Sequence, residues 1–340
     1  MAVRRARAER PVTTLPGEPV PYVIEAGSGR AHVLLGEVGR ALVGAEESAG
    51  AMSVMSLDGP RADRPIPLHF HDEEYELFYC LRGAIQLWAE DESRVLAPGD
   101  FAFIPPGTLH AYQLRGHHST FVGPIVPGGW DRFFDLTGEP FATAAFPQGP
   151  KGPPPFAKFG QAEQQFKMKY RPDAQYAVAG EGADDTLPAA QQAYFLRSGE
   201  GPRHELAGQL QTLLLGSGQT EGRVTMTTVE LAKGPGLPNH VHERTYESLM
   251  VIEGRLRVTL DGAEHVLTRG DTASIPAGTE HAYRGDGHYT KVLTMSAPGG
   301  LEKLIATAGA ATREHVFGTG GALDLDALRE AATGLDVSFA

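Results

Sequence analysis

The chain holds 13 histidines, and two of them stand one residue apart in LHFHDEEYELFYCLRG, Leu68 to Gly83. A near-copy, PNHVHERTYESLMVIEG, runs from Pro238 to Gly254. In an extended strand alternate side chains share a face, so His69 and His71 aim two imidazoles at one point, as do His240 and His242. Glu76 and Glu247 follow, and His110 and His281 come later, behind PPGT and PAGT. Three imidazoles and a carboxylate suit a divalent transition metal and leave room for exogenous ligands that a closed structural site would not. The expected ligands are His69, His71, Glu76 and His110 in one site and His240, His242, Glu247 and His281 in the other, so up to two ions bind per chain. The donor set accepts Ni, Mn, Co, Fe or Cu. Glu76 is expected to reach its place through the short turn DEEY, as a hairpin returning beside the histidines.

These residues need rigid elements under them. Gly83, Gly99, Pro105 and Gly107 recur with the ligands as Gly254, Gly270, Pro276 and Gly278, and every pair differs by 171 positions. Upstream, PYVIEAGSG at Pro21 to Gly29 echoes AYFLRSGEG at Ala193 to Gly201, so whole domains are duplicated. Each copy consists of short β-rich runs cut by glycine turns, such as RVLAPGDFAFIPPGTLHAYQL, which predicts an antiparallel barrel or jelly roll. The fold class is therefore all-β, two tandem barrels with short linking and C-terminal helices. The expected division is an N-terminal domain over 1–145, a linker with a short helix over 146–190, a C-terminal domain over 191–317 and a helical tail over 318–340. In that tail LDLDALREAATG puts Leu325 and Leu328 on one helical face.

With 340 residues and an apolar fraction of 41 %, the chain can supply two cores. A formal charge of −12 opposes binding to phosphate backbones or anionic lipid, so neither nucleic acid nor membrane is an expected partner. The basic start MAVRRARAER leads to no apolar run, and the single cysteine, Cys80, makes no intramolecular disulfide. Cytoplasmic location is the expectation, and a homodimer is compatible with it.

The repeated stretches resemble the two motifs of the cupins: HxH with its glutamate and glycine, then GDFAFIPPGTLH and GDTASIPAGTEH. Both copies carry them, which resembles the bicupins. The order PYVI, LHFHDEEYELFYCLRGAIQLWAE, RVLAPGDF and GPIVPGGWDRFFDLTG is similar to that of the quercetin 2,3-dioxygenases (flavonol 2,4-dioxygenases). The resemblance implies a jelly-roll β-barrel in each domain, a small aromatic substrate, and O2 as co-substrate. It also implies cleavage of a flavonol heterocycle with release of carbon monoxide, and Glu76 as both ligand and base. Met55, Phe78, Tyr112, Phe121 and Ile125 sit at positions matching flavonol contacts. Trp88, Trp130, Phe133 and Phe134 are assigned to core or domain contacts, and His117 and His118 to a solvated turn. The first domain is the one expected to do the chemistry. A decarboxylase or isomerase of a polar metabolite is the other enzyme class the motifs admit, and a non-catalytic binding protein is the third reading.

Overall fold

The computed structural model describes residues 9–142, 152–178, 180, 185–234, 236–318 and 322–339. The chain forms two compact units, Gly29–Gly201 and a second made of Met1–Ser28 with Pro202–Ala340. Each is a pair of antiparallel sheets, one of eight strands and one of five. Among the described residues no helix is long and apolar enough to cross a membrane.

In the first unit the five-stranded sheet runs Met168–Tyr170, His69–His71, His110–Leu114, Ile85–Ala89, Glu92–Leu96. The eight-stranded sheet includes Glu37–Val43, Ser53–Gly59, Ser119–Val126 and Tyr75–Arg82 as successive neighbours. The second unit repeats this order. Its five-stranded sheet places Ser338–Phe339, Leu237–Val241 and His281–Gly285 side by side.

The expected division of the chain needs three corrections. Tyr22–Ile24 is an edge strand of the second unit, paired with Thr272–Ile275, and Val23 and Ile24 are buried there. Its repeat counterpart, Tyr194–Leu196, pairs with Phe101–Ile104 in the first unit. The opening strand of each repeat thus completes the other repeat's sheet, which a boundary drawn from the repeat period misses. The supposed linker is also part of the first unit: the helix Phe156–Gln165 leads into Met168–Tyr170, which pairs with the strand carrying His69 and His71. Finally, the tail contributes Ser338–Phe339 to the second unit's sheet, with the helix Leu325–Ala331 before it. Leu328 of that helix is fully buried, whereas Leu325, its first residue, is exposed. The expected boundary at 145 lies outside the described residues, as does most of the basic N-terminal run.

The helix Asp131–Thr137 closes one end of the first barrel. The buried carboxylate of Asp131 takes the Arg30 guanidinium and accepts hydrogen bonds from the Ser53 hydroxyl at 2.7 Å and the Ala45 amide at 3.2 Å. That anchorage fixes where Trp130, Phe133 and Phe134 point.

Candidate metal centres and the cavity beside one of them

His69 and His110 lie directly opposite one another in adjacent strands, as do His240 and His281. Glu76 comes from elsewhere. It sits in Tyr75–Arg82, paired across to Ile125 and Ile104 in the eight-stranded sheet, so it faces the imidazoles from the opposite wall of the barrel. The expected hairpin beside the histidines is therefore corrected: the turn after His71 carries the chain from one sheet to the other. Glu247 does the same in the second unit, opposite Ile275.

In each set one ligand atom per residue lies within 4.8 Å of all the others. The Glu76 Oε2 is 2.8 Å from His110 Nε2 and 3.5 Å from His71 Nε2, while Glu247 Oε2 is 2.9 Å from His281 Nε2 and 3.7 Å from His242 Nε2. The Nδ1 atoms of His69 and His110 donate to the carbonyls of Pro67 and Thr108, each at 2.9 Å. A carbonyl only accepts, so these contacts put the hydrogen on Nδ1 and leave Nε2 to face the centre. His240 and His281 are held the same way by Pro238 and Thr279, and His242 by the carbonyl of Asp336 at 2.7 Å.

Burial, joined by the neighbouring His110 and His71, holds His69 well below the usual imidazole range, and the same causes bring His240 down to about 3. Both are thus neutral with a free lone pair, the form that binds metal. Burial by itself would raise Glu76, but the close approach of the His110 and His71 rings outweighs it and holds the carboxyl far below the ordinary carboxylate range. Among the described residues both His71 nitrogens and His242 Nε2 are buried without a hydrogen-bond partner. Orphaned imidazole nitrogens aimed at a carboxylate and two further imidazoles fit a divalent cation, so the residues present suit the metal the motifs imply.

The surroundings of the two sets differ. A cavity of about 750 Å³, its mouth included, opens on His69 and Glu76, and its walls include Met55, Tyr112, Phe121, Ile125, Trp130 and Phe134. Four of the five expected pocket residues line it. Phe78 does not: it is fully buried behind Tyr112 and Phe121, with ring centroids 6.1 and 5.2 Å away. Trp130, Phe133 and Phe134, assigned from sequence to core or domain contacts, are corrected to cavity wall. Trp130 stacks on Phe133 at 4.6 Å and meets the His71 ring edge-on at 4.4 Å, tying the wall to a ligand. Trp88 lies in a small separate core with Leu68 and Ala111, and His118 pairs with Asp58 at 2.6 Å while staying partly exposed.

Sequence reasoning missed Phe159, Met168 and Tyr170, which reach the cavity from the segment taken as a linker. The alternation in FKMKY signals a strand, with Met168 and Tyr170 on one face. It also missed Glu37, the first residue of Glu37–Val43 after the tight turn at Leu35 and Gly36, both with positive φ. Its signal is a lone charge in phase with Gly39 and Ala41 on an inward face.

At the second set the cavity is smaller, about 470 Å³, and more polar. By strand register Met55, Gly123 and Ile125 correspond to Thr227, Thr294 and Ser296. No lysine or arginine lines either cavity among the described residues.

The family model described as "Cupin domain" matches residues 60–122 and 227–295, one stretch in each repeat. The chain is 29 % identical over 305 residues to a quercetin 2,3-dioxygenase of Bacillus subtilis (strain 168), covering 89 % of this chain and 90 % of that one. A quercetin 2,3-dioxygenase of Aspergillus japonicus is 27 % identical over 326 residues, covering 85 % and 92 %. Among solved structures, oxalate decarboxylase from Bacillus subtilis superposes with a TM-score of 0.50 at 19 % identity, over 79 % of this chain and 74 % of that one. That last likeness concerns the fold alone. Matched by that model in both halves and aligned nearly end to end with two quercetin 2,3-dioxygenases, the chain carries a cupin domain in each repeat and is similar, as a bicupin, to the quercetin 2,3-dioxygenases.

Proposed function

We propose that the chain opens the heterocycle of a flavonol with O2 and releases carbon monoxide, and that the first unit does this chemistry. The observation that carries the reading is the placement of His69 and Glu76 in an apolar, aromatic-walled cavity, the lining that suits a flat aromatic ligand. A divalent transition metal held by His69, His71, Glu76 and His110 would supply Lewis acidity, lowering the pKa of a bound enol hydroxyl. Glu76 is the group that takes the enol proton, since one carboxylate oxygen stays within reach of the cavity and the side chain keeps 13 % of its surface exposed. Trp130, Phe134 and Ile125 hold the ring system flat and exclude water. In the balanced reaction one ring carbon leaves with its oxygen as carbon monoxide, and both atoms of O2 stay in the ester product.

The decarboxylase reading is disfavoured by the lack of a cationic side chain in either cavity, because a small dianion is recognised through arginine or lysine near the metal. The test is an oxygen-uptake and carbon-monoxide assay of metal-loaded protein over flavonols. Uptake with stoichiometric carbon monoxide supports the reading, and no uptake with any flavonol overturns it.

A further inference from the structure

The first cavity is mostly apolar apart from its ligands, and Glu37 is the one acidic group in its lining that the reaction does not use. Glu37 is buried, with 8 % of its surface exposed, on the wall that also carries Met55 and Leu57. Among the described residues its side chain has one hydrogen-bond partner, the Tyr112 hydroxyl, which donates to Oε2 at 2.8 Å. No cation pairs with it, and Oε1 is left without a partner. Tyr112 needs only one acceptor, and a backbone carbonyl or a neutral amide would supply it at lower cost than a buried carboxyl. The second oxygen is therefore surplus to the fold, in a cavity built for a ligand.

The position is also informative. Tyr112 follows His110 by two residues on the same strand, so the two side chains share a face and their Cα atoms are roughly 7 Å apart. Glu37 is hydrogen-bonded to Tyr112, two residues beyond His110, so the carboxyl stands farther along the cavity than the ligands. A planar ligand whose enol end sits at the ligand cluster would bring a substituent at its other end toward Glu37. Burial pushes the Glu37 carboxyl up to about 7, against the opposing effect of the Tyr112 hydrogen bond, so near neutral pH it is available both as acceptor and as donor.

We infer that Glu37 is a specificity-determining residue that hydrogen-bonds a phenolic hydroxyl on the end of the substrate remote from the metal ligands. The inference rests on the flavonol reading above and deepens it: the preferred substrates are polyhydroxylated flavonols, and a flavonol with no hydroxyl beyond its enol is a poor one. A buried carboxyl left unpaired by such a ligand costs about tenfold or more in discrimination.

The experiment compares 3-hydroxyflavone, galangin and quercetin by oxygen uptake with metal-loaded protein and by quenching of Trp130 fluorescence with metal-free protein in which Trp88 is replaced by Phe. The wild type is expected to favour at least one of the two polyhydroxylated compounds over 3-hydroxyflavone by about tenfold in kcat/KM and in Kd. In Glu37→Leu that ratio falls to about unity, and in Glu37→Gln, which is isosteric and leaves the fold intact, it takes an intermediate value. A purely structural role would lower all three substrates in parallel and leave the ratio unchanged. If the wild type handles the three alike, or if Glu37→Leu and Glu37→Gln both keep its ratio, the anchor is overturned while the flavonol reading stands. If no flavonol consumes oxygen or quenches Trp130, both fall together.

Discussion

His69 and His110 are cross-strand partners with ring centroids 4.3 Å apart, and His240 and His281 repeat the pair at 4.0 Å. At that spacing His110 and His281 disfavour protonation of His69 and His240, and a cation held by each set would tie one sheet to the other through the glutamate. The two sets differ in one support: the Asp336 carbonyl fixes His242, whereas among the described residues His71 Nδ1 has no hydrogen-bond partner and the ring packs against Trp130. Loss of such a support typically weakens metal binding by about 10- to 100-fold. Titration of metal-loaded protein with a chelator is expected to show two steps, the first set emptying before the second. His242→Ala should remove the later step.

Gly39 lies under the cavity wall, where a Cβ would run into the ring of Phe134. Gly39→Ala is expected to push that ring toward the cavity and raise KM for a flavonol several-fold, with kcat changed less, because the ligands are untouched. Steady-state kinetics check this; equal KM values in the two proteins would show that Phe134 moves elsewhere.

How much of this was legible in the sequence follows from what repeats and what does not. The two four-residue clusters and the barrel class are readable because alternation along a strand and the offset between copies are local facts. Glu76 was assigned to the right set by the wrong route, since nothing local tells a hairpin from a crossing between sheets. The linker was misread because GPKGPPPF breaks up the segment before a short helix, and the strand after it finds its partner about 100 residues back, a pairing that no local pattern encodes. Phe78 was drawn into the pocket because its position matches a flavonol contact in the resembling family, yet a barrel interior is filled as well as lined, and a matching position does not give depth along the axis. The exchange of opening strands escaped for the same reason as the linker strand.

Val23 tests that exchange. It is 1 % exposed in the core of the second unit, although it stands in the first repeat. Val23→Asp places a charge in that core at a cost of several kcal/mol. The second set is expected to lose its metal at a lower temperature than in the wild type while the first set is retained. Loss from the first set instead would contradict the pairing of Tyr22–Ile24 with Thr272–Ile275.

The Glu37 carboxyl, raised from its ordinary 4.5 to about 7 by burial, gives a signed pH effect. Below pH 4.5 it is protonated in both folded and unfolded chains and costs nothing. As pH rises from there to about 7 the unfolded chain ionises and the folded one resists, so stability falls by about 3 kcal/mol over that window. Denaturation of metal-free wild type and Glu37→Gln from pH 4 to 8 should show the difference between them growing in favour of Gln. A constant difference would mean that Glu37 ionises normally.

The central claim, that the cavity of the first unit is where oxygen attacks the substrate, is tested most directly by carbon monoxide release from two metal-loaded variants. His69→Ala and His240→Ala should each bind one equivalent of metal fewer than the wild type. His69→Ala is expected to lose carbon monoxide release by about 100-fold or more, and His240→Ala to keep a substantial part of it. A dead His240→Ala beside an active His69→Ala would place the chemistry at the polar second set and leave the aromatic cavity without its role.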